Sequence, residues 1–342
     1  MKSIFDLTLN ELEDLLEKEG FKKYNATQVF EGIYKRKVSS FEDISNISKS
    51  LKEYLEKNFE IKYLKVIDIL KSETANKYLL EVNDSTVEVV LMHQSYGESI
   101  CISSQIGCNM ACKFCQSGKL KMKRNLSVSE MVLEVLTIEK IENIRVNNIV
   151  VMGIGEPFNN YENLVKALNI FTCNKGMDKG SRRITVSTCG IVPKIYEFAD
   201  LDLDINLAIS LHASNQKLRE ELMPIAKAYK LDELIKAIDY YIKKTNRRVT
   251  LEYILLNNIN DSLDNAKELV NLFKGKLVYI NIIPYNETDS EFRRSSKDKI
   301  SKFFDYLTKN GINVQKRREM GSNIKGACGQ LKASYERGEE NV

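Results

Sequence analysis

The chain has 342 residues, 43% of them hydrophobic, with 51 Lys and Arg against 47 Asp and Glu for a net formal charge of +4. This is the composition of a folded protein rather than a disordered one. At roughly 150 residues per domain there is material for about two domains, which need no staples to fold. Two histidines, His93 and His212, are too few for a poly-His site or a Cys2His2 finger. No stretch approaches the ~20 apolar residues of a membrane span. Glu11, Glu13, Asp14 and Glu17 stand where a secretory leader would be apolar. The expected compartment is therefore the reducing cytoplasm, where the seven cysteines serve as thiols, metal ligands or catalysts.

Residues 1–60 read as helices. Thr8-Leu9-Asn10-Glu11 is a capping box, and Leu9, Leu12, Leu15 and Leu16 follow at helical spacing. Val29, Phe30 and Ile33 make a second apolar stripe, and Leu51, Tyr54 and Leu55 a third. From about residue 62 the period shortens. Tyr78–Val82 and Thr86–Leu91 read as a hairpin turning at Asn83-Asp84. Strand patterns then recur at Ser99–Ser103, Asn148–Met152, Arg183–Ser187, Ile205–Ser210, Arg248–Leu255 and Val278–Ile283. Helical patterns such as Ser129–Glu142 and Leu231–Lys244 separate most of them. Repeated βα units predict an α/β fold with a parallel sheet, open or curled into a barrel. In such barrels the chemistry gathers at the carboxyl ends of the strands. Five of those ends carry polar or metal-binding groups: the cysteines after the first, Gly153–Pro157, Ser187-Thr188, Ser210-Leu211-His212 and Pro284-Tyr285-Asn286.

Cys108-Asn-Met-Ala-Cys112-Lys-Phe-Cys115 places three thiols in eight residues. Three thiolates from one loop can hold three corners of an iron–sulfur cubane, whereas an ordinary cluster takes four cysteines. The remaining iron then keeps an open, reactive position. A zinc site lacking a ligand and three buried thiols are the alternatives. Cys173 and Cys189 read as buried thiols.

The C-x3-C-x2-C spacing, with Phe114 before the last cysteine, resembles that of the radical S-adenosylmethionine (SAM) superfamily. That resemblance implies a partial (βα)6 barrel and a [4Fe-4S] cluster whose free iron chelates SAM. Further segments, in order, resemble the RlmN/Cfr family of radical SAM adenosine C-methyltransferases. These are Cys101–Cys108, Arg124–Glu130, Gly153–Pro157, Ser187–Pro193, Ser210–His212, Asn260–Ser262, Ile283–Asn286 and Gly326–Gln330. Pro157 and Arg318–Gly321 resemble the RlmN branch, while Gln116 and Asn25 depart from the family pattern.

The resemblance implies that Cys108, Cys112 and Cys115 hold the cluster. It implies that Gly155, Glu156, Ser187, Ser210, Leu211, His212 and Asn286 bind SAM. Cys328 would carry the methyl group, Cys101 would resolve it, and Glu88 would accept a proton. Two SAM molecules would be used per turnover, one methylating Cys328 and one supplying a radical. The reaction so implied is methylation of C2 of adenosine 2503 in 23S rRNA, and of adenosine 37 in tRNA. C8 methylation of the same rRNA adenosine, as in the Cfr branch, is an alternative, and a non-catalytic zinc-containing RNA-binding protein is another.

The implied partners are 23S rRNA, tRNA, an electron donor such as flavodoxin or ferredoxin, and a thiol reductant, acting on a monomer. The expected domains are a helical RNA-binding unit over 1–60, a β-hairpin linker over 61–95, the barrel over 96–320 and a carrier-cysteine segment over 321–342. Basic groups at Lys119, Lys121, Lys123 and Arg124, at Lys243, Lys244, Arg247 and Arg248, and at Lys316, Arg317 and Arg318 suit phosphate contacts. Lys35, Arg36 and Lys37 add a further group in the helical unit.

Overall fold

The computed structural model describes residues 1–287 and 290–317. Three helices open the chain: α1 (Leu9–Lys18), α2 (Lys23–Tyr34) and α3 (Lys49–Asn58). The capping box that starts α1 is present. The Glu11 backbone N–H donates to Thr8 Oγ1 at 3.3 Å, and the Thr8 N–H to the Glu11 carboxylate at 2.9 Å. The apolar stripes do what their spacing predicts, burying Leu12, Leu16, Val29, Phe30, Ile33, Leu51 and Leu55 in one small core.

This helical unit docks on α4 (Val128–Ile141), whose residues are buried almost all round. The docking contacts are polar and buried together. Asp6 accepts from the Ser129 N–H at 2.8 Å, and Glu139 pairs with Lys37 at 2.8 Å and with Lys179 at 2.6 Å. Their opposed charges draw the Glu139 carboxyl below its ordinary range despite its burial.

A ten-stranded sheet forms the body, with every strand beside its chain neighbour. Strands β1 (Lys65–Lys71), β2 (Ala75–Val82), β3 (Ser85–Gln94) and β4 (Gly97–Ile102) pair antiparallel in succession. The expected hairpin is thus present, with a strand before it. From β4 onward the pairing is parallel. It runs through β5 (Asn148–Val151), β6 (Ile184–Thr188), β7 (Asn206–Ser210), β8 (Val249–Leu255), β9 (Val278–Pro284) and β10 (Val314–Lys316).

Six of these parallel strands match the expected ones to within a residue or two, and β10 is an addition at the edge. The crossovers use α4, α5 (Tyr161–Thr172), α6 (Val192–Ala199), α7 (Gln216–Leu222), α8 (Leu231–Thr245), α9 (Leu263–Phe273) and α10 (Lys297–Lys309). Parallel neighbours need such crossovers, so the carboxyl ends of β4 to β9 all open on one side of the sheet.

Candidate active site at the carboxyl rim

The cysteine loop begins just beyond β4 and is pinched at its neck. Gln105-Ile106 pairs antiparallel with Arg124-Asn125, and the Cys108 N–H donates to the Leu120 carbonyl at 3.1 Å. Gly107 makes the pinch possible. It sits at φ +79°, and a Cβ there would lie 2.2 Å from the Lys121 carbonyl oxygen. Gly107→Ala should therefore open the neck and destabilise the chain by on the order of 1–3 kcal/mol. Denaturant titration checks this, and an unchanged midpoint would contradict the pinch.

Within the loop the Cys115 N–H donates to the Cys112 carbonyl at 3.1 Å, while the Lys113 N–H reaches the Leu222 carbonyl of α7 at 3.0 Å. Cys108, Cys112 and Cys115 are half-buried, free of disulfides, and all border one cavity of about 380 Å³. Burial pushes the Cys108 thiol up to about 11. Cys112 is pushed higher still, first by burial and then by the neighbouring cysteines. Among the described residues no three Cys, His, Asp or Glu side chains converge on a single-ion position. A cluster with one iron per thiolate needs no such convergence.

The same cavity receives nearly every residue singled out from the sequence: Glu88, Cys101, Gly155, Glu156, Ser187, Ser210, His212 and Asn286. Leu211 is the exception, because its side chain is fully buried in the core. Cys328 lies outside the described residues. Glu88 and Cys101 come together through strand register. Val90 pairs with Cys101 across β3 and β4, and the two-residue period puts Glu88 on the same face. Glu88 faces Lys77 of β2 at 3.7 Å, both side chains being nearly inaccessible. Burial pushes the Cys101 thiol up to about 11, opposed by the positive charge of Arg317.

After β5, Gly155 sits at φ +109°, where a Cβ would come within 2.6 Å of Gln105 Cβ. Its bare backbone forms one wall of the cavity. Glu156 is buried, which raises its carboxyl, yet it accepts from the Phe158 and Cys189 N–H groups at 3.0 and 2.7 Å. His212, at φ +54°, accepts at Nδ1 from the Ile254 N–H at 3.1 Å and packs edge-on against Phe114 of the cysteine loop. That bond makes Nε2 the protonated nitrogen of a neutral ring.

Burial, aided by Arg219, pushes His212 down to about 3. The unfolded chain binds a proton at this position below about pH 6.5, and the folded chain does not until about pH 3. Stability should therefore fall by about 1.4 kcal/mol per pH unit below 6.5 on this account. His212→Gln should flatten the loss of melting temperature between pH 6.5 and 5, and equal slopes in both proteins would contradict it.

Sequence reading gave no role to Glu252, took Cys189 only as a buried thiol and Arg317 only as a phosphate contact, yet all three border the cavity. Glu252 had a signal: it is a carboxylate within the apolar strand β8, and it pairs in register with Ser210. Asn281 donates to it at 2.9 Å, and its burial raises the carboxyl. Cys173, expected to be buried, is half-buried at the end of α5 and packs against the core, whereas Cys189 is buried as expected. The basic group beside the loop is also less open than its sequence suggests. Arg124 is held by Asp84 at 2.6 Å and Glu130 at 2.7 Å, while Lys121 and Lys123 are exposed.

A partly wrapped parallel sheet with a three-cysteine loop over its carboxyl rim is the architecture of a radical SAM protein, and the sequence profile of the Radical SAM superfamily matches residues 102–272. A second profile, the ribosomal RNA large subunit methyltransferase N-terminal domain, matches residues 2–61. The probable dual-specificity RNA methyltransferase RlmN of Spiroplasma citri is 48% identical over 98% of this chain and 99% of its own. That of Clostridium novyi (strain NT) is 46% identical over 98% of this chain and 99% of its own. A radical SAM methyltransferase of known structure from Sphaerobacter thermophilus superposes with a TM-score of 0.90 at 37% identity, over 96% of this chain and 99% of that one. The chain belongs to the RlmN family of radical SAM RNA methyltransferases.

The superfamily's cofactors are a [4Fe-4S] cluster and SAM, and the residues present fit them. Three free thiols on a pinned loop suit the cluster. Beside them the buried Gln116 Oε1, with no hydrogen-bond partner, borders the cavity as an acceptor suited to a polar ligand. Among the described residues no helix is long and apolar enough to cross a membrane.

Proposed function

We propose that this chain methylates C2 of adenosine 2503 in 23S rRNA and of adenosine 37 in tRNA, in the cytoplasm, through a methylated cysteine. The observation that carries this reading is the single cavity bordered at once by the cysteine loop, the glycine wall, Glu88 and Cys101. Cys108, Cys112 and Cys115 would hold the cluster. Gly155, Glu156, Ser187, Ser210, Leu211, His212 and Asn286 would bind SAM, with Leu211 contributing through its backbone. Bound together, cluster and SAM supply a hydrogen-abstracting radical.

The protein's own part is nucleophilic and acid–base. Adenine C2 is a poor nucleophile, whereas a thiolate is a good one, so Cys328 would take the methyl group from SAM by displacement. Once that carbon is joined to the base, RNA and protein share a covalent bond. Glu88, which faces Lys77 at 3.7 Å, would accept the ring proton. Cys101 would attack the Cys328 sulfur and release the methylated base, leaving a disulfide for a thiol reductant. A flavodoxin- or ferredoxin-like donor would supply electrons to a monomeric enzyme. The target base must leave its stack to reach the cavity. The exposed Lys121 and Lys123 at the neck, and the helical unit over 1–60, would hold the RNA backbone around it.

The test is mass spectrometry of rRNA and tRNA incubated with the reconstituted protein and SAM. 2-Methyladenosine is the expected product. 8-Methyladenosine would move the chain to the Cfr reading, and zinc in place of iron and sulfide would remove it from catalysis.

A further inference from the structure

Arg219 of α7 is the largest side chain among the described residues with no exposed surface. It lies behind the cavity wall, not in it. Its Nη2 donates to the Cys189 carbonyl at 2.6 Å and to the Ser210 carbonyl at 3.4 Å, so it bridges the ends of β6 and β7. Its Nε and Nη1 are buried with no hydrogen-bond partner. No carboxylate pairs with it among the described residues. A buried cation without a counter-charge, and with two donors unmet, is costly and uncommon. The groups that feel its charge are the sulfurs of Cys189 and Cys112 and the His212 ring at the cavity. The cysteine loop hangs from the same helix through the Lys113–Leu222 bond of 3.0 Å.

We infer that Arg219 is a positioning residue for the cluster, a buried guanidinium set to offset the negative charge that thiolate ligation brings to Cys112, and so to ease entry of an electron. The inference rests on the proposed role of the cysteine loop. Its physical basis is direct. A fixed positive charge in a low-dielectric wall favours the more negative of two redox states, and a guanidinium keeps its charge where other cations lose it.

The experiment compares wild type, Arg219→Lys, Arg219→Gln and Arg219→Met, each reconstituted anaerobically and titrated with reductant under EPR detection, with iron and sulfide measured alongside. Gln and Met remove the charge, and Met retains apolar bulk in case Gln does not fold. At the wild-type midpoint, the reduced-to-oxidised ratio of the neutral variants should fall at least tenfold, about 59 mV for a one-electron couple. Lys should stay within threefold of wild type.

Loss of the cluster from Gln and Met but not from Lys is the same effect at its extreme and also supports the inference. Neutral variants that hold a full cluster at the wild-type midpoint would overturn it. So would loss of the cluster from all three variants, since Arg219 would then serve only its carbonyl contacts. Wild type that takes up no iron would instead overturn the reading of the loop.

Discussion

Cys112→Ala should leave the reconstituted chain with little iron and lower methyl transfer by at least ~10³-fold, equivalent to about 4 kcal/mol of barrier. Cys112 sits between the other two thiols, borders the cavity, and belongs to the stretch of loop anchored to α7. Two remaining thiolates would leave two irons of a cubane without protein ligands. Cys173→Ala is the matched control. Its thiol lies at the end of α5, away from the cavity, so iron, sulfide and rate should all stay at wild-type values. A Cys112→Ala protein that keeps both its cluster and its rate would show that the loop is not the ligand.

Cys101→Ala should convert a turnover enzyme into one that stalls with RNA attached. Cys101 is held by the β3–β4 ladder on the face it shares with Glu88, and burial pushes its thiol up to about 11. Without that sulfur the proposed carbon bridge between Cys328 and the base would have no displacing nucleophile. A denaturing gel should then show an RNA–protein adduct in the presence of SAM and reductant, with product reduced at least ~10²-fold. Cys101→Ala combined with Cys328→Ala should form no adduct, because no carrier sulfur remains. Multiple turnover by the single variant would refute a resolving role.

The parts of this fold legible in the sequence were those written in local periodicity. The stripes Leu12–Leu16 and Val29–Ile33 and the six parallel strands each occupy consecutive residues whose pattern shows which face is buried. Strand β10 is different. Val314-Gln315-Lys316 is three residues with one partner, and only the register Ile280–Val314 shows it as sheet. The site divides along the same line. Cys108, Cys112 and Cys115 are close in the chain and were readable from spacing and likeness to a family. Glu252 joins the cavity only through its pairing with Ser210, 42 positions earlier, and Arg317 only through the last strand. Charge was the poorest guide. Arg124 looked like a phosphate contact because Lys119, Lys121 and Lys123 precede it, yet its partner Asp84 lies 40 residues away.

The sheet's strictly sequential strand order also sets a timetable. A ribosome releases the chain from the N-terminus, so β1 to β4 can pair as they emerge, each strand finding its partner already made. The cysteine loop follows next, pinched by Gln105-Ile106 and Arg124-Asn125 within 21 residues. Its remaining support, Leu222 of α7 and the guanidinium beside it, arrives about a hundred residues later. For that interval the nascent loop exposes three thiols with no counter-charge behind them. The proposed cluster ligands would then gain their full support only after residue 222 has cleared the exit tunnel.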